Sequence, residues 1–229
     1  MKRQSLFFAP MMLFFAIGIG SCSKSNNGTA TPKENILYQT HFATDDGKWA
    51  VGNINKGGAT YYQSGNYVVV GGVDASTFTY SYIADVFTGI SGKSAVTASI
   101  NVLKPTNPGL GGNGGLIWGC QPNAQDLNYN VFAISYIGQW GLFHFERTSS
   151  VSNSWTITAI APWTSNNVIQ TGQFNDLTVL QNNGQLQFSI NGSQVYEMNA
   201  TGGTLDQTGL FADVYSTLQA NNFEAEDWQ

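Results

Sequence analysis

Short stretches in which apolar and polar residues alternate fill most of this chain, each closed by Gly, Asn, Asp, Ser or Pro. A period of two sends successive side chains to opposite faces of an extended strand. The pattern predicts strands at residues 36–42, 59–63, 67–70, 78–87, 95–103, 116–120, 129–136, 140–145, 155–160, 177–181, 186–190, 194–198, 210–214 and 218–223. They are rich in β-branched and aromatic residues, which suit a pleated, half-buried surface. No segment keeps a helical apolar period between caps, so no helix is expected. So many short strands in one domain point to an all-β sandwich or barrel. Asn191-Gly192 predicts a two-residue hairpin turn, because both central residues take positive φ. In that register Ile190 faces Ser193 and Phe188 faces Val195. Leu186, Phe188, Ile190 and Val195 then share the core face, with Gln187, Ser189, Gln194 and Tyr196 on the other. Asn183-Gly184 and Gly138-Gln139 mark two more turns.

The first residues break this pattern. Lys2 and Arg3 precede an apolar run over residues 6–19, and polar Ser23-Lys24-Ser25-Asn26 follows. A spanning helix needs about 20 apolar residues, so the run reads as an export signal. Its ending, Ile19-Gly20-Ser21-Cys22, resembles the bacterial lipoprotein box. The resemblance implies removal of residues 1–21 and acylation of Cys22. Residues 22–35 then form the lipidated Cys and a flexible tether, lacking enough apolar surface to order themselves. Residues 36–229 form one folded domain. The expected location is exported and anchored by lipid to the outer membrane, since Ser after Cys22 resembles lipoproteins sent there. The sequence leaves the face of that membrane open.

Composition narrows the partners. Without residues 1–21, seven basic residues stand against fourteen acidic ones, a balance of −7 over 208 residues, and Arg147 is the one arginine left. Nucleic acid is excluded as an expected partner, because phosphate binding needs clustered Lys and Arg. Charged residues make up 10% of the chain, against roughly 25% in typical soluble proteins. Asn, Gln, Ser, Thr and Gly fill the polar positions, a surface suited to neutral polyhydroxylated ligands. With Cys22 acylated, Cys120 has no partner in the chain and reads as a small buried hydrophobe.

A series of landmarks resembles the concanavalin A-like lectin/glucanase superfamily, nearest its laminin-G-like and 3-keto-disaccharide-hydrolase-like branches. Phe42, Asp45, Asp46 and Trp49 come first, then Gly114-Gly115-Leu116-Ile117-Trp118, then Tyr129, Phe132, Ile134 and Gly138. Asn175-Asp176-Leu177-Thr178-Val179, the Phe188–Val195 hairpin, Gly209-Leu210-Phe211-Ala212 and Asn222-Phe223 complete the order. The resemblance implies a two-sheet antiparallel jelly-roll sandwich whose concave face binds carbohydrate. Departures weigh against carrying over enzymatic activity. The Glu-x-Asp-x-x-Glu strand of laminarinase-type members is absent, and no Arg follows the Asn113–Trp118 stretch as in the keto-disaccharide hydrolases.

The candidate ligand-binding residues are Trp118, Tyr136, Trp140, His144, Trp155 and Trp163, whose rings or polar tips suit sugar C–H faces and hydroxyls. Trp163 follows Pro162 in an expected loop and should be the most exposed. Trp140, His144 and Glu146 alternate in phase and share one strand face, so His144 and Glu146 are the candidates for acid/base work. No metal or cofactor is expected; Asp45-Asp46-Gly47 offers a calcium loop short of ligands. Gly109 to Gly114 matches a dinucleotide fingerprint in form alone, without its strand and helix. The leading expectation is therefore a lipid-anchored module binding neutral carbohydrate. The alternatives are a glycoside-processing enzyme and a structural envelope module without a sugar site. The oligomeric state is not legible.

Overall fold

Three two-residue turns set the frame. Ser64-Gly65, Asn183-Gly184 and Asn191-Gly192 all have positive φ (51° and 76°, 49° and 75°, 50° and 76°), the geometry whose twist matches flanking antiparallel strands. They join β3 (Ala59–Gln63) to β4 (Asn66–Val70), β11 (Asn175–Asn182) to β12 (Gln185–Ile190), and β12 to β13 (Ser193–Asn199). A computed structural model describes residues 33–73, 78–83, 86–87, 92–105, 112–122, 127–147, 155–200, 205 and 207–228. The leader with Cys22, and residues 109–111 of the glycine-rich match, lie outside the described residues.

The remaining strands are β1 (Glu34–Thr40), β2 (Gly52–Asn53), β5 (Thr79–Ile83), β6 (Lys93–Val102), β7 (Asn113–Pro122), β8 (Leu127–Ser135), β9 (Gln139–Arg147), β10 (Thr156–Ser165), β14 (Thr208–Ala212) and β15 (Thr217–Trp228). They form two antiparallel sheets. One has nine strands in the order β13-β12-β11-β6-β15-β4-β3-β2, with β1 also paired to β15; the other runs β10-β9-β8-β7-β14-β5. Every predicted strand has an observed counterpart. The two-residue β2 was not foreseen, because Gly52-Asn53 carries no strand pattern.

The core lies between the sheets. Val96, Ala98 and Ile100 of β6 and Leu218, Ala220 and Phe223 of β15 face Leu116, Phe132, Leu142 and Leu210 from the six-stranded sheet. Rings cross the gap: Phe188 lies 5.0 Å from Trp118 and 5.5 Å from Phe132. A bulge between Ala220 and Asn222 lets both Ala220 and Phe223 point inward. A second bulge alters the expected hairpin register. Phe188 pairs with Tyr196, not Val195, because an extra residue is accommodated between Ser189 and Phe188 pairings. Tyr196 therefore turns to the core side and packs 6.2 Å from Phe188.

The six-stranded sheet is apolar on both faces. Its outer face, turned away from the nine-stranded sheet, holds a separate cluster that includes Ile117, Tyr129, Val131, Phe145 and Phe211. A sheet with two apolar faces needs cover on both, and here the outer cover is made largely of aromatic rings.

Candidate functional site

At one level of the outer face, Phe211 pairs with Gly115, Gly115 with Ala133, and Ala133 with Gly141. Three small residues in a row across β7, β8 and β9 leave a bare floor of backbone. Large rings stand around it. On one side the Phe143 ring leans over Gly141, where a Cβ would come within 2.6 Å of it. Phe143 in turn packs 5.0 Å from Trp163 of β10. On the other side Phe78, Phe145 and Phe211 touch one another at centroid distances of 5.2, 5.1 and 5.9 Å. The trough so formed has a volume of about 180 Å³.

Its end is polar. Asn113 and Asp213 line it together. Asn113 Nδ2–H donates to Asp213 Oδ2 at 2.9 Å, and the Val214 N–H donates to Oδ1 at 2.7 Å. The backbone holds the pair in place: Asp213 N–H donates to the Asn113 carbonyl, and Ser216 Oγ accepts from the N–H groups of Gly112 and Asn113. Burial pushes the Asp213 carboxyl above its ordinary pKa, opposed by the Asn113 and Val214 hydrogen bonds. Both partners donate, so these two contacts favour the ionised acceptor, while burial opposes it and prevails.

Behind the ring wall, Tyr129 is fully buried and stacks on Phe145 at 5.1 Å, with Trp155 5.6 Å away. Its hydroxyl has no hydrogen-bond partner among the described residues, and burial raises its pKa well above the usual value. Cys120 belongs to the same cluster, its thiol pushed up to about 12 by burial. That is the thiol of an inert packing residue.

The structure separates the residues singled out from sequence. Trp163 stands in the trough wall with 37% of its surface exposed, in strand β10 and not in a loop. Trp155 supports the wall from behind. Trp118 and Trp140 are correctly read as large rings on strands but lie between the sheets, 2% and 5% exposed. They have no surface for a ligand. Tyr136 sits at the turn after β8, its ring filling the space beside Gly112, outside the trough. His144 and Glu146 do share a face with Trp140, but it is the face toward the nine-stranded sheet. There His144 Nδ1 lies 2.9 Å from Asn130 Oδ1. Asp45 and Asp46 accept hydrogen bonds from the backbone of Gly47 and Lys48, and Tyr38 O–H donates to Asp46. Asn113, Asp213, Phe78, Phe143, Phe145 and Phe211 were not among the candidate ligand-binding residues. The signal for Phe143 and Phe145 was present: the run Leu142-Phe143-His144-Phe145 is apolar on both parities.

No family model and no curated sequence matches this chain. Solved structures do. A carbohydrate recognition domain of Emp46p in potassium-bound form aligns with a TM-score of 0.56 at 11% identity, over 84% of this chain and 98% of that one. A Bacillus subtilis protein of unknown function with a galectin-like fold gives 0.52 at 14% identity, over 86% and 99%. The endo-β-1,3-glucanase of Pyrococcus furiosus gives 0.52 at 9% identity, over 86% and 96%. At such identities the likeness is one of architecture, and with the two antiparallel sheets it identifies the fold: an all-β, two-sheet jelly-roll sandwich.

Proposed function

We propose that this domain binds neutral carbohydrate in the trough on the outer face of the six-stranded sheet. The observation that carries the reading is the combination of opposed ring walls with one hydrogen-bonding end. Phe143 and Trp163 offer flat apolar area to sugar C–H faces, while Asp213 and Asn113 offer acceptors and a donor to hydroxyls. Structural neighbours include a carbohydrate recognition domain and a glucanase, which agrees with the reading. Binding is favoured over cleavage, because glycoside hydrolysis commonly uses two carboxyl groups roughly 5–9.5 Å apart. Among the described residues Asp213 is the carboxylate of the trough, and Glu146 points to the opposite side of the sheet.

We further propose, from the lipoprotein-box resemblance alone, that the domain sits at the cell envelope. The lipoprotein box ending in Cys22 would tether it to the outer membrane through acyl chains, with the residues between Cys22 and β1 as spacer. Two experiments test this. Labelled palmitate should enter the wild-type chain and not Cys22→Ala. A glycan panel probed with the full chain should give at least one neutral ligand whose binding weakens about tenfold in Trp163→Ala. A panel without any response removes the sugar-binding proposal.

A further inference from the structure

Resting on that reading, we infer that the trough takes a single neutral sugar ring, presented end-on as a terminal or branching residue, and does not thread a running chain. The volume comes first. About 180 Å³ is well below the roughly 300–1,000 Å³ of pockets that enclose drug-sized ligands. The walls come second. From the backbone of β14 to that of β9 is three inter-strand spacings, about 14 Å. Phe211 stands at one edge of this span and Phe143, its ring over Gly141 of its own strand, at the other, so the gap between them is of the order of one pyranose wide.

The ends are blocked as well. A chain lying along the strands would meet Phe145, packed against Phe78 and Phe211, at one end. At the other it would meet the hydrogen-bonded Asn113–Asp213 pair. A chain lying across the strands would meet Phe143 and Trp163, in contact at 5.0 Å. The open side faces away from the sheet, so a ring enters with its remaining glycosidic link pointing out to solvent.

The polar end sets the chemistry of that ring. A carboxylate offers about four acceptor sites, and two of those on Asp213 are taken by Asn113 and Val214. Each oxygen keeps one free site, a spacing suited to two adjacent hydroxyl donors. No Lys, Arg or His is among the residues described as lining the trough. A carboxylated or sulfated ring would therefore meet Asp213 without a compensating cation. The occupant is a neutral ring with a vicinal hydroxyl pair.

Titration of the full chain with methyl glycosides of glucose, galactose, mannose, xylose and N-acetylglucosamine, each beside its linear tetrasaccharide, tests this by calorimetry and indole fluorescence. For the sugar that binds, glycoside and tetrasaccharide should agree within about threefold, since the outer units gain no contacts. Its uronic acid counterpart should bind at least about tenfold more weakly. Ala133→Phe, which fills the floor, should abolish binding; Trp163→Ala, at an exposed position, supplies a second variant whose fold is checked by circular dichroism. A tetrasaccharide bound tenfold or more tightly than its glycoside overturns the single-ring inference and leaves the carbohydrate reading standing. Equal binding of the uronic acid overturns the requirement for neutrality. Silence from every probe overturns the carbohydrate reading and this inference with it.

Discussion

Trp163 and Trp118 carry the same indole into opposite surroundings. Trp163 is 37% exposed against Phe143, whereas Trp118 is 2% exposed and wedged against Phe188. Their alanine variants should therefore separate binding from stability. Trp118→Ala leaves a cavity between the sheets and should lower unfolding free energy by about 3–5 kcal/mol, read from urea denaturation. Trp163→Ala should change stability little, while weakening sugar binding by about tenfold, the worth of one good ring contact. The sequence marked Trp163, after Pro162, as the most exposed ring, but it did not show that Trp118 would be buried. Leu116-Ile117-Trp118 is apolar on both parities, and in Leu142-Phe143-His144-Phe145 either face would serve as the core. Only the second sheet decides, because it covers Trp140 and Leu142 and leaves Phe143 and Phe145 to the outer face. Asn113 and Asp213 were hidden for a different reason. They are 100 positions apart and meet through the pairing of β7 with β14.

Strand positions themselves were legible, since alternation and turn residues act locally. Bulges were not. The inserted residue in β13 that carries Tyr196 to the core side depends on twist in the assembled sheet. The Asn191-Gly192 turn, by contrast, is a local device, and Gly192 can be tested without confusion from packing. Its φ is +76° and an added Cβ would meet nothing within 4 Å. Gly192→Ala should thus cost about 1–2 kcal/mol from backbone strain alone. A second element-level effect lies where β1 joins β15. Glu34, Glu224 and Glu226 place carboxylate oxygens within 4.8 Å of one another. Burial first, then the hydrogen bond and repulsion from Glu34, raise the Glu226 pKa from 4.5 to about 7, with Lys93 opposing. An acid whose folded pKa is raised favours the fold most when protonated. Its contribution is full below pH 4.5 and is lost as pH rises through about 7. Thermal midpoints should fall between pH 5 and 8 in the wild type, and Glu226→Gln should flatten that slope. An unchanged slope would assign the effect elsewhere.

At the scale of the whole molecule, Asp213 stands where the chain leaves β14 in one sheet to begin β15 in the other. That crossing is held by Ser216, whose Oγ accepts from Gly112 and Asn113 and whose carbonyl accepts from Gly71. The sandwich thus fixes the carboxylate at the polar end of the trough before any ligand arrives, which lowers the ordering cost of binding. Holding it there has an energetic consequence. Burial raises the Asp213 pKa, so its ionised form is disfavoured in the folded state relative to the unfolded chain. The associated stability is present below the ordinary carboxylate pKa and lost as pH rises through the raised folded value. Ligand binding runs the other way, because hydroxyl donors need the ionised acceptor. Lowering pH should therefore weaken sugar binding through a transition above the ordinary range of an aspartate, while the unliganded domain is not destabilised by that same protonation. Asp213→Asn separates the two effects. At neutral pH the unliganded variant should melt at or above the wild-type temperature, with the difference shrinking toward acid pH. It should also show no sugar-dependent shift at any pH. A variant that melts lower at neutral pH than at acid pH, relative to wild type, would mean that the ionised Asp213 stabilises the fold, and the carboxylate would then be a structural clasp for the β14–β15 crossing.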